Sequence, residues 1–328
     1  MKASLRAQCH PIVLLIASAL PLGISTWADT FGSGFNTFTM EFVAIGNPGN
    51  ANDTSFPDPV FGPFGAVPYN FMIGKYEVSR DVVSKANDAG GLGLTMADMS
   101  VHGGNGTARP ATGVTWFEAA TFVNWLNTSA GFTAAYNFDA GGNFALWSAA
   151  DAWQQGGENR FRNRRAHYFL PTENEWYKAA YFNGNRYFEY PTGSDQVPYF
   201  ISGGTRAGSA VYDPLELFPE GVGPADVNNA GGLSPYGTMG QGGNVMELLE
   251  GSHFDFGDPA RADRAVRGGD WQNYAGFLAS WVTLSIPPSD ESYNLGFRVA
   301  AVPEPEHCAA VAGFLLLATG VGLRRRVC

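Results

Sequence analysis

The residues able to do chemistry gather between Ser234 and Arg298, in three blocks punctuated by glycine: Ser234 to Glu247, Val266 to Trp271, and Asn294 to Arg298. Within this stretch lie Glu247, Asp270, Asn273 and Arg298, with the rings of Trp271 and Trp281. Such groups suit holding a ligand more than attacking one. Glycine runs between apolar residues suit backbone that turns sharply or passes close to another segment, and a loop-rich core would use them in the same way. The usual nucleophile and metal patterns are absent. His102, His167 and His253 are scattered with no H-x-x-x-H spacing, and no G-x-S-x-G elbow occurs. The run from Gly103 to Ala108 lacks the lysine of a phosphate-binding loop.

Several elements must position these blocks. Phe38 to Ile45 alternates as a strand, and Asn47 to Asp53 reads as a turn. The oxygens of Asn50, Asn52 and Asp53 could meet a calcium ion or belong to a plain loop. Tyr69 to Val78 reads as a second strand, followed by a helix capped by Ser79 and running to about Ala89. Val114 to Asn127 is the clearest helix: Thr115 and Glu118 make a capping box, and Trp116, Ala119, Ala120, Val123 and Leu126 share one face. Thr172 and Glu175 repeat the device for a helix from Glu173 to Tyr181. Glu118, Glu173 and Glu175 are therefore read as helix-start carboxylates, not as catalysts. Asn183 to Leu233, rich in Gly, Pro and Tyr, reads as long ordered loops with a few short strands. No linker interrupts the chain, so a single domain is expected.

The two ends have their own chemistry. Residues 1–28 combine Lys2 and Arg6, an apolar run from Ile12 to Leu20, and a small-residue exit at Ala28, the layout of a secretory signal peptide. Residues 302–328 hold Pro303-Glu-Pro, an apolar run from Ala309 to Leu323, and Arg324 to Arg326. A short apolar helix with a cationic end stops in a bilayer with its arginines cytoplasmic. The net charge of −10 deepens once both basic ends are set aside, which excludes a phosphate-backbone partner and favours cations or neutral glycans. All three cysteines, Cys9, Cys308 and Cys328, lie in these ends, so residues 29–301 contain neither thiol nor disulfide.

Gly242 to Glu247, Arg267 to Trp271 and Asn294 to Arg298, together with Ile73 to Val78, Pro110 to Ala119 and Leu170 to Trp176, resemble in sequence and order the motifs of the formylglycine-generating enzyme, or sulfatase-modifying factor, family. The resemblance implies an α+β, C-type-lectin-like fold over residues 29–301, loop-rich with short strands and a few helices. It also implies two copper(I)-binding cysteines shortly after the Arg-Gly-Gly block. Those positions hold Asn273 and Leu278, and neither supplies the soft thiolate that copper(I) needs. The next residue after the glycines, usually serine in the family, is Asp270. The resemblance further implies a calcium site on Gly243, Val245 and Glu247, with one ligand position falling on Gly240. Glu247 could equally be a structural carboxylate. A second family calcium site falls near Ala210 and Leu217, which cannot supply its ligands.

The tail resembles a PEP-CTERM sorting signal, which implies an exosortase as partner, transient membrane contact before processing, and delivery to the surface or exopolysaccharide matrix of a Gram-negative bacterium; a plain C-terminal anchor is the other reading. The expected function is a non-oxidase surface or matrix binding module for a glycan or surface protein. Its groove would be lined by Asp270, Trp271, Asn273, Trp281 and Arg298, with calcium as the possible ion and no copper. The competing expectation is a cysteine-free oxidase, with Asp270, Asn273 and a histidine holding a harder metal such as iron(II).

Overall fold

The computed structural model describes residues 26–56, 61–215, 221–251 and 262–303. Most of the expected signal peptide and sorting tail, with His253 and Leu217, lies outside them. The fold is α+β, as expected: among the described residues there are two main sheets, three α-helices and long ordered loops.

The first sheet has the order Thr26–Phe31, Phe38–Ile45, Phe71–Gly74, Ala300–Ala301, Tyr168–Phe169. Strand Phe38–Ile45 keeps its expected bounds and buries Phe38, Met40, Phe42, Val43 and Ile45. Thr26–Phe31 pairs antiparallel with it, from Thr26 opposite Val43 to Phe31 opposite Phe38. Thr26, Trp27 and Ala28 are thus paired residues, and the strand crosses the point where signal cleavage is expected.

The second sheet has the order Leu284–Ile286, Arg264–Arg267, Met246–Leu248, Leu295–Phe297. Three of its neighbouring strands belong to the three glycine blocks. Met246–Leu248 runs antiparallel to Arg264–Arg267 and parallel to Leu295–Phe297. Segments separated by tens of residues are thereby stitched side by side.

Two segments pass from one sheet to the other. The strand expected over Tyr69 to Val78 ends at Gly74, because the chain leaves the first sheet there: Gly74 N donates to Val299 O at 2.7 Å and Val78 N to Phe297 O at 2.9 Å. Arg298 and Val299 make the return crossing, between Leu295–Phe297 and Ala300–Ala301. Glu77 and Arg298 therefore meet in the interior at the seam.

Three helices pack around this frame. α1 (Arg80–Gly90) is capped by Ser79, whose side chain accepts from Val82 N. α2 (Trp116–Ser129) and α3 (Glu173–Tyr181) each carry the complete capping box anticipated from Thr115/Glu118 and Thr172/Glu175. α2 buries its five expected residues and also Phe122 and Asn127. Asn127 is fastened to the first sheet: its amide donates to Tyr168 O at 2.7 Å and accepts from Tyr168 N at 3.0 Å. Between Asn183 and Leu233 the chain forms loops and one parallel pair, Tyr199–Phe200 with Ser209–Ala210.

Candidate functional site

Beneath the three glycine blocks lies a buried polar knot. Glu247, on strand Met246–Leu248, is fully buried, and both of its oxygens are engaged. Arg298 grips it two-pronged, with Nε 2.6 Å from Oε2 and Nη2 2.5 Å from Oε1, while Trp176 Nε1 donates to Oε2 at 2.7 Å. Planar two-pronged pairing is the strongest geometry available to a guanidinium and a carboxylate. It fixes Leu295–Phe297 and α3 against the central strand.

Gly243 and Asn244 open that strand in the left-handed region, at φ 79° and 61°. A side chain at Gly243 would stand 2.0 Å from Val211 O, so only glycine fits. Asn244 pays for its conformation with bonds: its N–H donates to Val211 O, its Oδ1 accepts from Ala225 N at 2.7 Å, and its Nδ2 donates to Glu77 Oε2 at 2.7 Å. Burial, and after it the nearby charge of Glu247, pushes the Glu77 carboxyl well above the usual carboxylate range.

Asp270 joins the second and third blocks. It is fully buried; its Oδ1 accepts from Gln272 N at 2.7 Å and its Oδ2 from Asn294 Nδ2 at 2.7 Å. Burial raises its pKa from 3.8 to about 6. Asn273 closes the same turn, its Oδ1 accepting from Asp270 N at 3.1 Å and its carbonyl from Asp213 N. Trp271 is buried against Val211, Met239 and Val245. Leu278 is wholly buried with Tyr190, Tyr212 and Ala279, and its carbonyl accepts from Tyr181 Oη.

Of the five groove residues anticipated, Asp270, Trp271 and Arg298 are therefore interior, whereas Asn273 is half-buried and Trp281 is 41% exposed. Beside Trp271 stand two residues that motif reading passed over: His102 stacks on Tyr293 at 4.4 Å between centroids, with Trp271 tilted toward both. Nothing in their local sequence predicts this meeting of two distant loops. Among the described residues no group of three His, Cys, Asp or Glu side chains is placed to hold a metal ion. The expected calcium position differs. Glu77 adds a second buried carboxylate beside Glu247, with a carboxylate oxygen that has no hydrogen-bond partner. The two carboxylates come from separate segments, and both oxygens of Glu247 are already engaged by Arg298 and Trp176.

Residues 64–302 match the family model of the sulfatase-modifying factor enzyme 1-like domain, called FGE-sulfatase. The chain belongs to that family. Solved structures share the FGE-like fold: Treponema denticola variable protein 1 is 22% identical at a TM-score of 0.57, covering 84% of this chain and 99% of that one. CarF is 20% identical at a TM-score of 0.57, covering 81% and 99%. PvdO from Pseudomonas aeruginosa is 18% identical at a TM-score of 0.51, covering 84% and 98%. No curated protein sequence matches.

Most of the FGE-like motif residues stand in the interior. Glu118 accepts from Thr115 N and Thr95 N, and Glu175 closes its capping box while pairing with Arg162. Glu173 bonds Arg267 Nε at 2.6 Å. These carboxylates hold helices and strands in place, which explains why their motifs are legible in order along the chain.

Proposed function

We propose that this FGE-like chain is a non-oxidase member of its family, exported and kept at the cell surface or in the extracellular matrix of a Gram-negative bacterium as a binding module. One observation carries the reading: the two positions where the family places its copper thiolates are occupied by side chains with other duties. Leu278 is a core residue and Asn273 ties off the turn at Asp270. No cysteine lies between Cys9 and Cys308, so no displaced thiol takes over.

The binding face would be the rim of residues 271–281, where Tyr274 and Trp281 stay 46% and 41% exposed and Asn273 is half-buried. Exposed aromatic faces beside amides suit a glycan or a surface protein. Glu247, with the carbonyls of Gly243 and Val245, would hold calcium as a structural ion. The sorting tail would be read by an exosortase, with membrane contact confined to the unprocessed chain.

The test is mass spectrometry of a sulfatase-type peptide, Cys-x-Pro-x-Arg, incubated aerobically with copper and the purified protein beside a cysteine-bearing family member. We expect no formylglycine from this protein and conversion by the control. Conversion by this protein would overturn the proposal. In parallel, Trp281→Ala is expected to weaken binding to matrix polysaccharide at least tenfold without lowering Tm; undiminished binding would remove this face from the reading.

A further inference from the structure

Along α2 runs an open groove of about 400 Å³ that the candidate site does not use. It is lined by Leu92 and Leu94, which follow α1, by Phe117 of α2, and by Phe138 of the short hairpin Asn137–Phe138 with Phe144–Ala145. Three polar side chains border it as well, and each is already bonded within the protein. Glu118 takes four donors, the N–H and hydroxyl of Thr95 on Oε1 and those of Thr115 on Oε2. Thr121 Oγ1 donates to Phe117 O at 2.9 Å, and the Asn124 amide exchanges two bonds with the backbone of Tyr136. A sugar would lose water on entering and find few groups to replace it, which is unfavourable. The groove therefore suits an uncharged apolar segment.

The chain carries such a segment at a fixed place. Its described residues end at Pro303, and Val302 N donates to His167 O at 2.9 Å. His167 N in turn donates to Asn127 Oδ1 at 2.8 Å, so the chain leaves the first sheet beside the last turn of α2. From Asn127 back to Thr121 is about 9 Å along the helix axis, at roughly 1.5 Å per residue. Residues Pro303 to Cys308 span at most about 20 Å when extended. The run that follows, Ala309 to Leu323, has no charged side chain. Its start falls within reach of the groove, and a tether this short keeps it there at a millimolar effective concentration.

We propose that the groove on α2 is the holding site of the chain's own apolar tail, residues 309–323, when that tail is not in a bilayer. The tail lays apolar side chains against Leu92, Leu94, Phe117 and Phe138, and the arginines after Leu323 stay in water. The folded domain thereby covers a stretch that would otherwise drive the unprocessed chain to associate. The inference goes beyond the binding face of residues 271–281 and does not depend on it.

No cysteine lies between Cys9 and Cys308, and Cys308 and Cys328 bracket the apolar run, so the native thiols report where the tail sits. The experiment uses the full chain at low concentration, diluted below the micelle-forming concentration of its detergent, with a short bismaleimide. Thr121→Cys places a partner thiol in the groove; Arg165→Cys places one on an exposed residue close to the chain's exit beside His167. Mass spectrometry of linked peptides should find position 121 joined to Cys308 or Cys328 of the same chain, at least five times more often than position 165. Leu92→Glu, which charges the groove, should lower that yield at least fivefold. Leu316→Glu charges the tail instead and should do the same with the Tm of the folded domain unchanged, so poor folding of the groove variant cannot decide the result. Equal yields at positions 121 and 165, or a yield that neither charge lowers, would mean a tail that samples the surface freely and would overturn the proposal. Links to Cys9 or between two chains would overturn it as well, assigning the groove to the leader or to a second copy. No glycan or sulfatase peptide is present, so failure of the proposed binding face cannot mimic any of these results.

Discussion

Asp270 shows how one residue trades charge for position. Its carboxylate ties Gln272 and Asn294 together, yet burial lifts its pKa to about 6, above the ordinary 3.8. A raised folded pKa means that the folded state binds the proton more tightly than the unfolded chain. The stability this adds is complete below about pH 4 and is lost as pH rises through 6. Denaturant titrations of the native chain should show stability falling over that window, by at most about 3 kcal/mol for a shift of this size. Asp270→Asn should flatten this slope. A variant whose pH profile matched the native one would show that Asp270 titrates normally. Lys178 carries the opposite sign: burial lowers its pKa from 10.5 to about 8, its Nζ bonding Asn47 O. Its charged form is disfavoured on folding, so Lys178→Met should gain stability relative to the native chain as pH drops from 10.5 to about 8, and the gain should level off below 8. A Tm difference independent of pH would refute this.

At the scale of elements, α3 is the part on which most of the knot depends. It is nine residues long, and an isolated helix of that length is marginal in water. The capping box and the packing of Trp176, Tyr177 and Tyr181 hold it in place. Thr172→Ala removes the side-chain acceptor for Glu175 N and should cost about 1 kcal/mol, with Thr172→Ser restoring most of it. Chemical denaturation of the three proteins measures this directly. An unaffected alanine variant would show that the helix is held by burial alone.

Across the whole molecule, Arg162 connects distant parts. It is completely buried and pairs with Glu175 on α3 and with Glu250 just past Met246–Leu248, at 2.9 and 3.0 Å. Tyr136 Oη also bonds Glu250, and its ring packs beside Trp116 of α2. Arg162→Leu leaves two interior carboxylates without their cation, and breaking a buried pair in this way costs about 3–5 kcal/mol. Because the network spans both sheets and two helices, the loss should lower one cooperative transition. Two separate transitions in calorimetry would contradict that coupling.

The sequence by itself determined what depends on near neighbours. Caps at Thr115 and Thr172, the strand Phe38–Ile45 and the apolar face of α2 are set by spacings of two to four residues, and each forms where those spacings put it. The family was legible for a related reason, since its motifs are short runs in fixed order. The absence of cysteine from Cys9 to Cys308 was likewise a property of the string alone. Only the tertiary structure decided which motif residues face inward. Arg298 and Trp271 look like ligand contacts in a list, but they are interior because two chain crossings at Gly74 and Arg298 close over them. Glu77 was hidden inside what reads as a continuous strand. Its meeting with Gly240 and Glu247 joins positions some 160 residues apart in sequence, and no local periodicity encodes a contact that long-range sheet pairing creates.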